Sequence, residues 1–184
     1  MVRYVFRSAR LYYLAAQPAL AEAAAAFYRR NRAAFAPFDP VQPEEFFSAG
    51  GQRERLSRDL AQAEAGRSFR FLLVRPGQPG KVVGLVGLNE IVRGAFQSCF
   101  LSYKVDAALW GRGYGSEAIE AVTGWGFRVL GLHRIEANIM PRNLASRRAA
   151  EKAGYEEEGL SRHYLRINDR WEDHLHLVRL NDPE

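Results

Sequence analysis

The sequence predicts a single α+β domain over residues 1–184, without linkers or repeats, and three observations carry that prediction. The first half is rich in strand-like segments, residues 98–140 read as strand, helix, strand, and a glycine-rich turn opens the helix of that unit. A chain of 184 residues is long enough to bury one substantial core, and its 47% hydrophobic and 26% charged residues are those of an ordinary globular protein.

Residues 3–13 alternate as a first strand. Pro18 stands where a helix accepts proline, in its first turn, and residues 19–34 are rich in strong helix formers. Pro37, Pro40 and Pro43 break the chain into a rigid loop. Residues 44–66 read as a second helical region interrupted at Gly50-Gly51. Residues 68–75 form a strand, 76–80 a turn and 81–92 the returning strand of a hairpin. Residues 98–105 alternate, with Ser98, Phe100, Ser102 and Lys104 on one face and Cys99, Leu101, Tyr103 and Val105 on the other. That pattern suits a half-exposed antiparallel strand. In the next helix Ala118, Val122, Trp125 and Val129 form a core-facing stripe, and Gly131 ends it. Residues 132–140 are a strand, Asn143 caps a helix to about 153, and strands near 155–165 and 171–180 close the chain.

The turn is Trp110-Gly111-Arg112-Gly113-Tyr114-Gly115-Ser116. Its glycines let backbone N–H groups turn toward an anion, and a helix with Ser116 as N-cap and Glu117 in its first turn offers its amides and dipole to the same anion. A diphosphate-bearing ligand follows. Gly115 is followed by Ser116-Glu117 rather than Lys-Ser/Thr, which excludes a P-loop. A dinucleotide fingerprint would want glycine at Ser116, although Glu136, 25 residues beyond Gly111, keeps that alternative open beside a turn with no ligand.

Further along come His133-Arg134-Ile135-Glu136-Ala137-Asn138-Ile139-Met140-Pro141-Arg142-Asn143, then Ser146 and Lys152-Ala153-Gly154-Tyr155. With Gly-Arg-Gly-Tyr-Gly before a helix, these runs resemble the GCN5-related N-acetyltransferase (GNAT) superfamily. Ile91-Val92-Arg93-Gly94-Ala95-Phe96 and the run from Tyr164 to His174 resemble more narrowly the ribosomal-protein alanine N-acetyltransferases of the RimJ/RimL group. The similarity runs nearly end to end and is strongest from about Val82.

The resemblance implies a GNAT fold, a mixed sheet splayed between its fourth and fifth strands, here residues 98–105 and 132–140. Acetyl-CoA would lie in the gap, its pantetheine arm on free backbone near Tyr103 and Val105 and on Asn143. Its pyrophosphate would rest on Arg112, Gly113, Tyr114, Gly115 and Ser116. Trp110 stands where the superfamily often has Gln or Arg, so it either contributes to this cradle or only packs against it. The implied reaction is attack of an amine on the thioester in a ternary complex, without a metal. It needs an oxyanion donor, for which the N–H near Val105 serves, and a base, for which Glu136 and Glu90 are candidates against the alternative of structural carboxylates. It also needs an acid for the thiolate. The tyrosine many members place four residues before the helix-ending glycine is Ala150 here. Ser146, one turn earlier on the same helix face, is the candidate, against a serine that only satisfies its helix. Phe35 and Phe38, in a proline-stiffened segment, are candidates for a wall that binds the acceptor, or belong to a plain loop.

The acceptor so implied is the α-amine of a protein N-terminus, possibly ribosomal. A small amine is the second reading, and a non-catalytic acyl-CoA-binding or nucleotide-binding regulator the third. Net charge is +5, but the 23 Arg and 3 Lys are scattered and no aromatic-basic motif accompanies them, so no direct nucleic-acid partner is expected. The absence of a long apolar run or signal-like start, with the single Cys99, points to a cytoplasmic protein without membrane association. Cys99 reads as a packed small hydrophobe, and His174-x-His176 lacks further ligands at metal spacing.

Overall fold

The computed structural model describes residues 4–181. Eight strands form one sheet in the order β1-β2-β3-β4-β5-β6-β8-β7. They are β1 (Tyr4–Arg7), β2 (Tyr12–Ala15), β3 (Phe69–Arg75), β4 (Gln78–Val92), β5 (Ser98–Val105), β6 (Arg134–Ile139), β7 (Glu156–Ile167) and β8 (Arg170–Leu180). Four helices flank it: α1 (Ala21–Phe35), α2 (Ala49–Glu64), α3 (Tyr114–Leu130) and α4 (Leu144–Lys152). The expected strand over 3–13 is instead the hairpin β1–β2, turned by a Ser8 N–H to Leu11 carbonyl bond of 2.9 Å, and residue 3 lies outside the described residues. The two segments expected to splay therefore count as the fifth and sixth strands.

Helices cover the two faces of the sheet at different places. Leu14, Leu72, Val74, Val82 and Leu85 pack with Ala24, Phe27 and Leu56 of α1 and α2 on one face. Tyr13, Phe71, Leu73, Val86, Leu88, Cys99 and Leu101 pack with Ala118, Ile119, Val122 and Ala150 of α3 and α4 on the other. This follows from period two: successive strand residues serve opposite faces. Trp125 sits among Phe6, Phe69 and Phe71 at ring separations of 5.9, 5.2 and 5.0 Å. Val129, expected in the buried stripe, is 62% exposed. At 3.6 residues per turn the fully buried α3 positions are Ala118, Ile119, Val122 and Thr123, and position 129 has rotated off that face.

The second helical region breaks at Ser48, not at Gly50-Gly51. A short 3-10 turn over Glu44–Phe47 precedes it, and the Ser48 hydroxyl caps α2 by accepting from the Gly51 N–H at 2.9 Å. Glycine at 51 belongs to that packing, since a Cβ there would stand 2.1 Å from the Glu45 carbonyl oxygen. The β3–β4 turn is tighter than expected, with β4 starting at Gln78 after Gly77 at φ 78°. β6 is shorter at both ends than the expected 132–140.

Candidate active site

The strand β5 has a different relation to each neighbour. It pairs antiparallel with β4 along nearly its whole length, from Gly84↔Val105 to Val92↔Ser98. With β6 it pairs in parallel, and only at Ser98↔Arg134, Cys99↔Ile135 and Phe100↔Glu136. Beyond Phe100 the two strands part. The expectation of a half-exposed antiparallel strand is thus half of the answer, because one edge is antiparallel and the other parallel. The Asp106 N–H bonds to the Val83 carbonyl, so by alternation the backbone groups of Leu101, Tyr103 and Val105 face the gap. That gap is an unfilled strand position with donors and acceptors at sheet spacing, and it can hold an extended amide-bearing chain.

The glycine turn lies beyond the open end of β5. Gly111 and Gly113 have φ 72° and 77°, a region that costs other residues strain, and α3 begins at Tyr114 with Gly113 as its cap. Ser116 is therefore not the N-cap. It is a buried residue of the first turn whose hydroxyl donates to the Gly113 carbonyl at 3.3 Å. A Cβ at Gly111 would meet open space, and Gly115 sits against Ala149 of α4. The arrangement fits a diphosphate as expected.

The turn is braced by residues the sequence did not reveal. Arg10, in the β1–β2 turn, donates to the Arg112 carbonyl at 2.9 Å, pairs with Glu117 at 2.6 Å and lies over the Tyr114 ring at 4.2 Å. Arg75 approaches the same ring at 5.9 Å. Arg10 precedes the turn by about a hundred residues, and no spacing rule links them. The Arg112 side chain itself is exposed. Trp110 has a defined role: its indole N–H donates to the Val105 carbonyl at 2.8 Å, and its ring tilts toward Phe35 at 6.5 Å. That bond occupies the Val105 carbonyl, so of the two backbone groups expected to serve at Val105 only the N–H is left for a ligand.

Ser146 lies in the first turn of α4, half-buried. The Asn143 side-chain oxygen accepts from its N–H at 3.2 Å, the capping role expected of Asn143. The Tyr103 hydroxyl donates to the Ser146 carbonyl at 2.8 Å and also meets its Oγ. Burial pushes the Tyr103 phenol up to about 12 against the opposing hydrogen bond of Ser146. The phenol missing at Ala150, which is fully buried, thus has a counterpart arriving from β5.

The two candidate bases differ. Glu136 is engaged: burial alone would raise its pKa, but hydrogen bonds from His176 Nδ1 at 2.6 Å and Arg134 at 3.1 Å hold it below the usual carboxylate range. His176 Nε2 in turn meets the Ser161 hydroxyl at 2.5 Å, and Arg134 also pairs with Glu158 at 2.6 Å. Arg134, Glu158, Ser161 and His176 line an open polar depression of about 290 Å³, and Glu136 itself pairs with Phe100, where β5 and β6 begin to part. Both Glu136 oxygens are thus engaged, Oε1 by His176 and Oε2 by Arg134. Glu90 sits at a bulge where β4 slips register against β5 between Asn89 and Val92, at φ 52°. Its carboxylate is exposed, and the Tyr164 phenol senses it: burial first, then the charges of Glu136 and Glu90, raise the Tyr164 pKa.

Phe35 and Phe38 separate likewise. Phe35 is 8% exposed and belongs to the α1 core, its ring tilted against Phe27 at 5.6 Å. Phe38 is half-buried under the Arg142 guanidinium at 5.4 Å. The loop carrying it is tied across the molecule. Arg142 donates to the Pro37 carbonyl at 3.0 Å and Asn168 to that of Ala36 at 2.8 Å, and Lys104 of β5 pairs with Asp39. Burial lowers the Lys104 pKa, with Asp39 opposing. Cys99 is buried, and burial pushes its thiol up to about 12. Among the described residues no cluster of three or more His, Cys, Asp or Glu could hold a metal ion, and no helix is long and apolar enough to cross a membrane.

Residues 10–156 match the family model described as Acetyltransferase (GNAT) domain. The chain is 38% identical over 154 residues to the probable N-acetyltransferase YjcK of Bacillus subtilis (strain 168), covering 84% of each. It is 32% identical over 158 residues to the [ribosomal protein uS5]-alanine N-acetyltransferase of Escherichia coli (strain K12), covering 86% of this chain and 80% of that one. The structure of Mycobacterium smegmatis RimJ in complex with CoA-disulfide superposes with a TM-score of 0.87 at 25% identity, covering 93% and 82% of the two chains. With the parted strands, the glycine turn and this similarity together, the chain belongs to the GNAT acetyltransferase family and is an acetyl-CoA-dependent N-acetyltransferase of RimJ/RimL type.

Proposed function

We propose that this enzyme acetylates the N-terminal α-amine of a protein, with a ribosomal protein as the foremost acceptor. The observation that carries the reading is the gap between β5 and β6, open beyond Phe100, with the Tyr103–Ser146 pair at its side. The pantetheine arm of acetyl-CoA completes the sheet along Tyr103 and Val105, and the pyrophosphate rests on the Gly111–Ser116 turn. The acceptor approaches from the face that α1 and α2 leave bare, where Ser102, Lys104, Asn138 and Glu90 lie. Its amine attacks the thioester carbon, the developing oxyanion meets a backbone N–H on the open edge of β5 inward of Val105, and the C–S bond breaks as Ser146, polarised by Tyr103, gives a proton to the thiolate. Glu90 takes the amine proton through water. An α-amine, with a reference pKa of about 7.7–8.0, has a useful free-base fraction near neutrality, whereas lysine near 10.4 has little. A lone exposed carboxylate suffices for the former. The similarity to enzymes named for the alanine of uS5 supports the same acceptor class.

The test is mass spectrometry of ribosomal proteins, free and N-terminally blocked peptides and small amines after incubation with acetyl-CoA. Free peptides beginning with Ala or Ser are expected to gain one acetyl group at the α-amine. Ser146→Ala is expected to lower kcat at least about tenfold, with acetyl-CoA Kd within about twofold, because an acid acts in the transition state. Modification confined to lysines or small amines rejects the α-amine reading.

A further inference from the structure

Across the last three strands of the sheet, side chains from β6, β8 and β7 meet in one chain of bonds. His176 Nδ1 lies 2.6 Å from Glu136 Oε1, and His176 Nε2 lies 2.5 Å from Ser161 Oγ. The carboxylate can only accept, because burial, which would raise its pKa, is outweighed by the bonds from His176 and Arg134. Nδ1 therefore donates to it, and in the neutral ring Nε2 is left as an acceptor. The Ser161 hydroxyl then donates to Nε2. A serine whose proton points at an imidazole that a carboxylate orients is an activated nucleophile. The imidazole is also fixed from the side. The Tyr164 ring stands edge-on to it at 5.1 Å, and the Asn138 amide donates to the Tyr164 hydroxyl at 3.2 Å.

The serine is reachable. Ser161 is half-buried, the His176 side chain is 21% exposed, and both line the open depression of about 290 Å³ together with Arg134, Glu158 and Leu160. Arg134 gives three bonds to Glu136 and Glu158, so its guanidinium retains N–H donors for an oxyanion. Leu160, which is exposed, offers apolar surface to a short acyl chain. Two carboxylates against one guanidinium leave the place net negative, which disfavours anionic substrates such as CoA thioesters. We propose that Ser161, His176 and Glu136 form a second acyl-transfer centre, separate from the Tyr103–Ser146 pair, that hydrolyses neutral short-chain esters. Ser161 Oγ attacks the ester carbonyl carbon as His176 Nε2 takes its proton, and the oxyanion faces Arg134. The bond from that carbon to the alcohol oxygen breaks as Nε2 passes the proton to the departing oxygen. Water then attacks the acyl-serine, Nε2 takes a proton from it and returns it to Oγ, and the carboxylic acid leaves.

The experiment treats the whole enzyme with a fluorophosphonate, which reacts with activated serines, and maps the adduct by mass spectrometry. Wild type is expected to be labelled on Ser161. His176→Asn keeps that serine but removes its base, and its labelling rate is expected to fall at least about 10²-fold, the low end of what a positioned base contributes. Hydrolysis of p-nitrophenyl acetate is expected in wild type and should drop to the buffer rate in Ser161→Ala. Acetyl transfer from acetyl-CoA should stay within about twofold in Ser161→Ala, as for independent sites, and calorimetry of CoA binding verifies that both variants are folded. No label, a label on another residue, or an undiminished label in His176→Asn overturns the centre and leaves the three residues as a structural bond chain. Ester hydrolysis and acetyl transfer lost together in folded Ser161→Ala overturns its separation from the transferase site.

Discussion

At Glu90 the backbone takes φ 52°, a conformation that costs a residue bearing a Cβ of order 1–3 kcal/mol and that clusters at functional sites. The bulge there carries an exposed carboxylate whose charge reaches the Tyr164 phenol. Glu136, the register partner of Phe100, has its oxygens committed to His176 and Arg134. The two carboxylates should therefore respond oppositely to removal of charge. Glu90→Gln is expected to lower kcat/KM about 10²-fold near pH 6.5, the low end for a general base, and to recover toward pH 9, where the amine sheds its own proton. Glu136→Gln is expected to leave kcat/KM within about threefold but to cost about 1–3 kcal/mol of stability near neutrality. Its folded pKa lies below the ordinary value of 4.5, so that stabilisation is present above the unfolded pKa and fades as pH falls through the folded one. Denaturant melts of wild type and Glu136→Gln should accordingly converge on acidification below about pH 4. A catalytic collapse in Glu136→Gln at unchanged stability would reverse the assignment.

Among elements, the glycine turn and the start of α3 depend on a hairpin at the other end of the chain. Arg10 joins the Arg112 carbonyl, the Tyr114 ring and Glu117, while the Ser8 hydroxyl also donates to Glu117 at 2.7 Å. The Arg10 side chain is 44% exposed, so its pair with Glu117 adds little to global stability. It ties the glycine turn and the first turn of α3 to the β1–β2 hairpin. Arg10→Ala is expected to weaken CoA binding about fivefold, equivalent to about 1 kcal/mol, with Tm nearly unchanged. Gly113→Glu is expected to abolish binding, because it adds a charged side chain at φ 77° where phosphate would rest. Calorimetry reads both. Wild-type affinity in a folded Gly113→Glu protein would remove the turn from the binding site.

Across the whole molecule, the proposed acceptor side is assembled from segments far apart in sequence. The loop after α1 is fastened to β5 through Asp39 and Lys104, to the β7–β8 hairpin through Asn168, and to the chain before α4 through Arg142. Asp39→Asn leaves the mostly buried Lys104 ammonium without its carboxylate and is expected to cost about 1–3 kcal/mol. With the other ties intact, KM for the acceptor should rise severalfold while Kd for acetyl-CoA holds. Thermal melts and steady-state kinetics measure the two effects. An acetyl-CoA Kd that shifted as much as the acceptor KM would mean that the loop supports the whole sheet and not the acceptor side alone.

Local signals in the chain determined much of this protein. The alternation over 98–105 gave strand β5 at its observed bounds, Gly131 ended α3 at φ 64°, and Asn143 capped α4, because each depends on a few neighbouring residues. The spacing of glycines at 111, 113 and 115 marked the turn that opens α3, with Gly111 and Gly113 at positive φ, for the same reason. The split of residues 3–13 into two strands was not legible, since a four-residue turn inside an alternating run leaves little trace. Nor was the phenol beside Ser146, which stands 43 residues away and arrives through sheet geometry. Tertiary structure alone decided that Glu136 is tied up by His176, that Glu90 stays free at its bulge, and that Phe35 lies in the core. Which charge meets which, and which ring is covered, depends on the crossing of strands distant in sequence, and local periodicity carries no record of that.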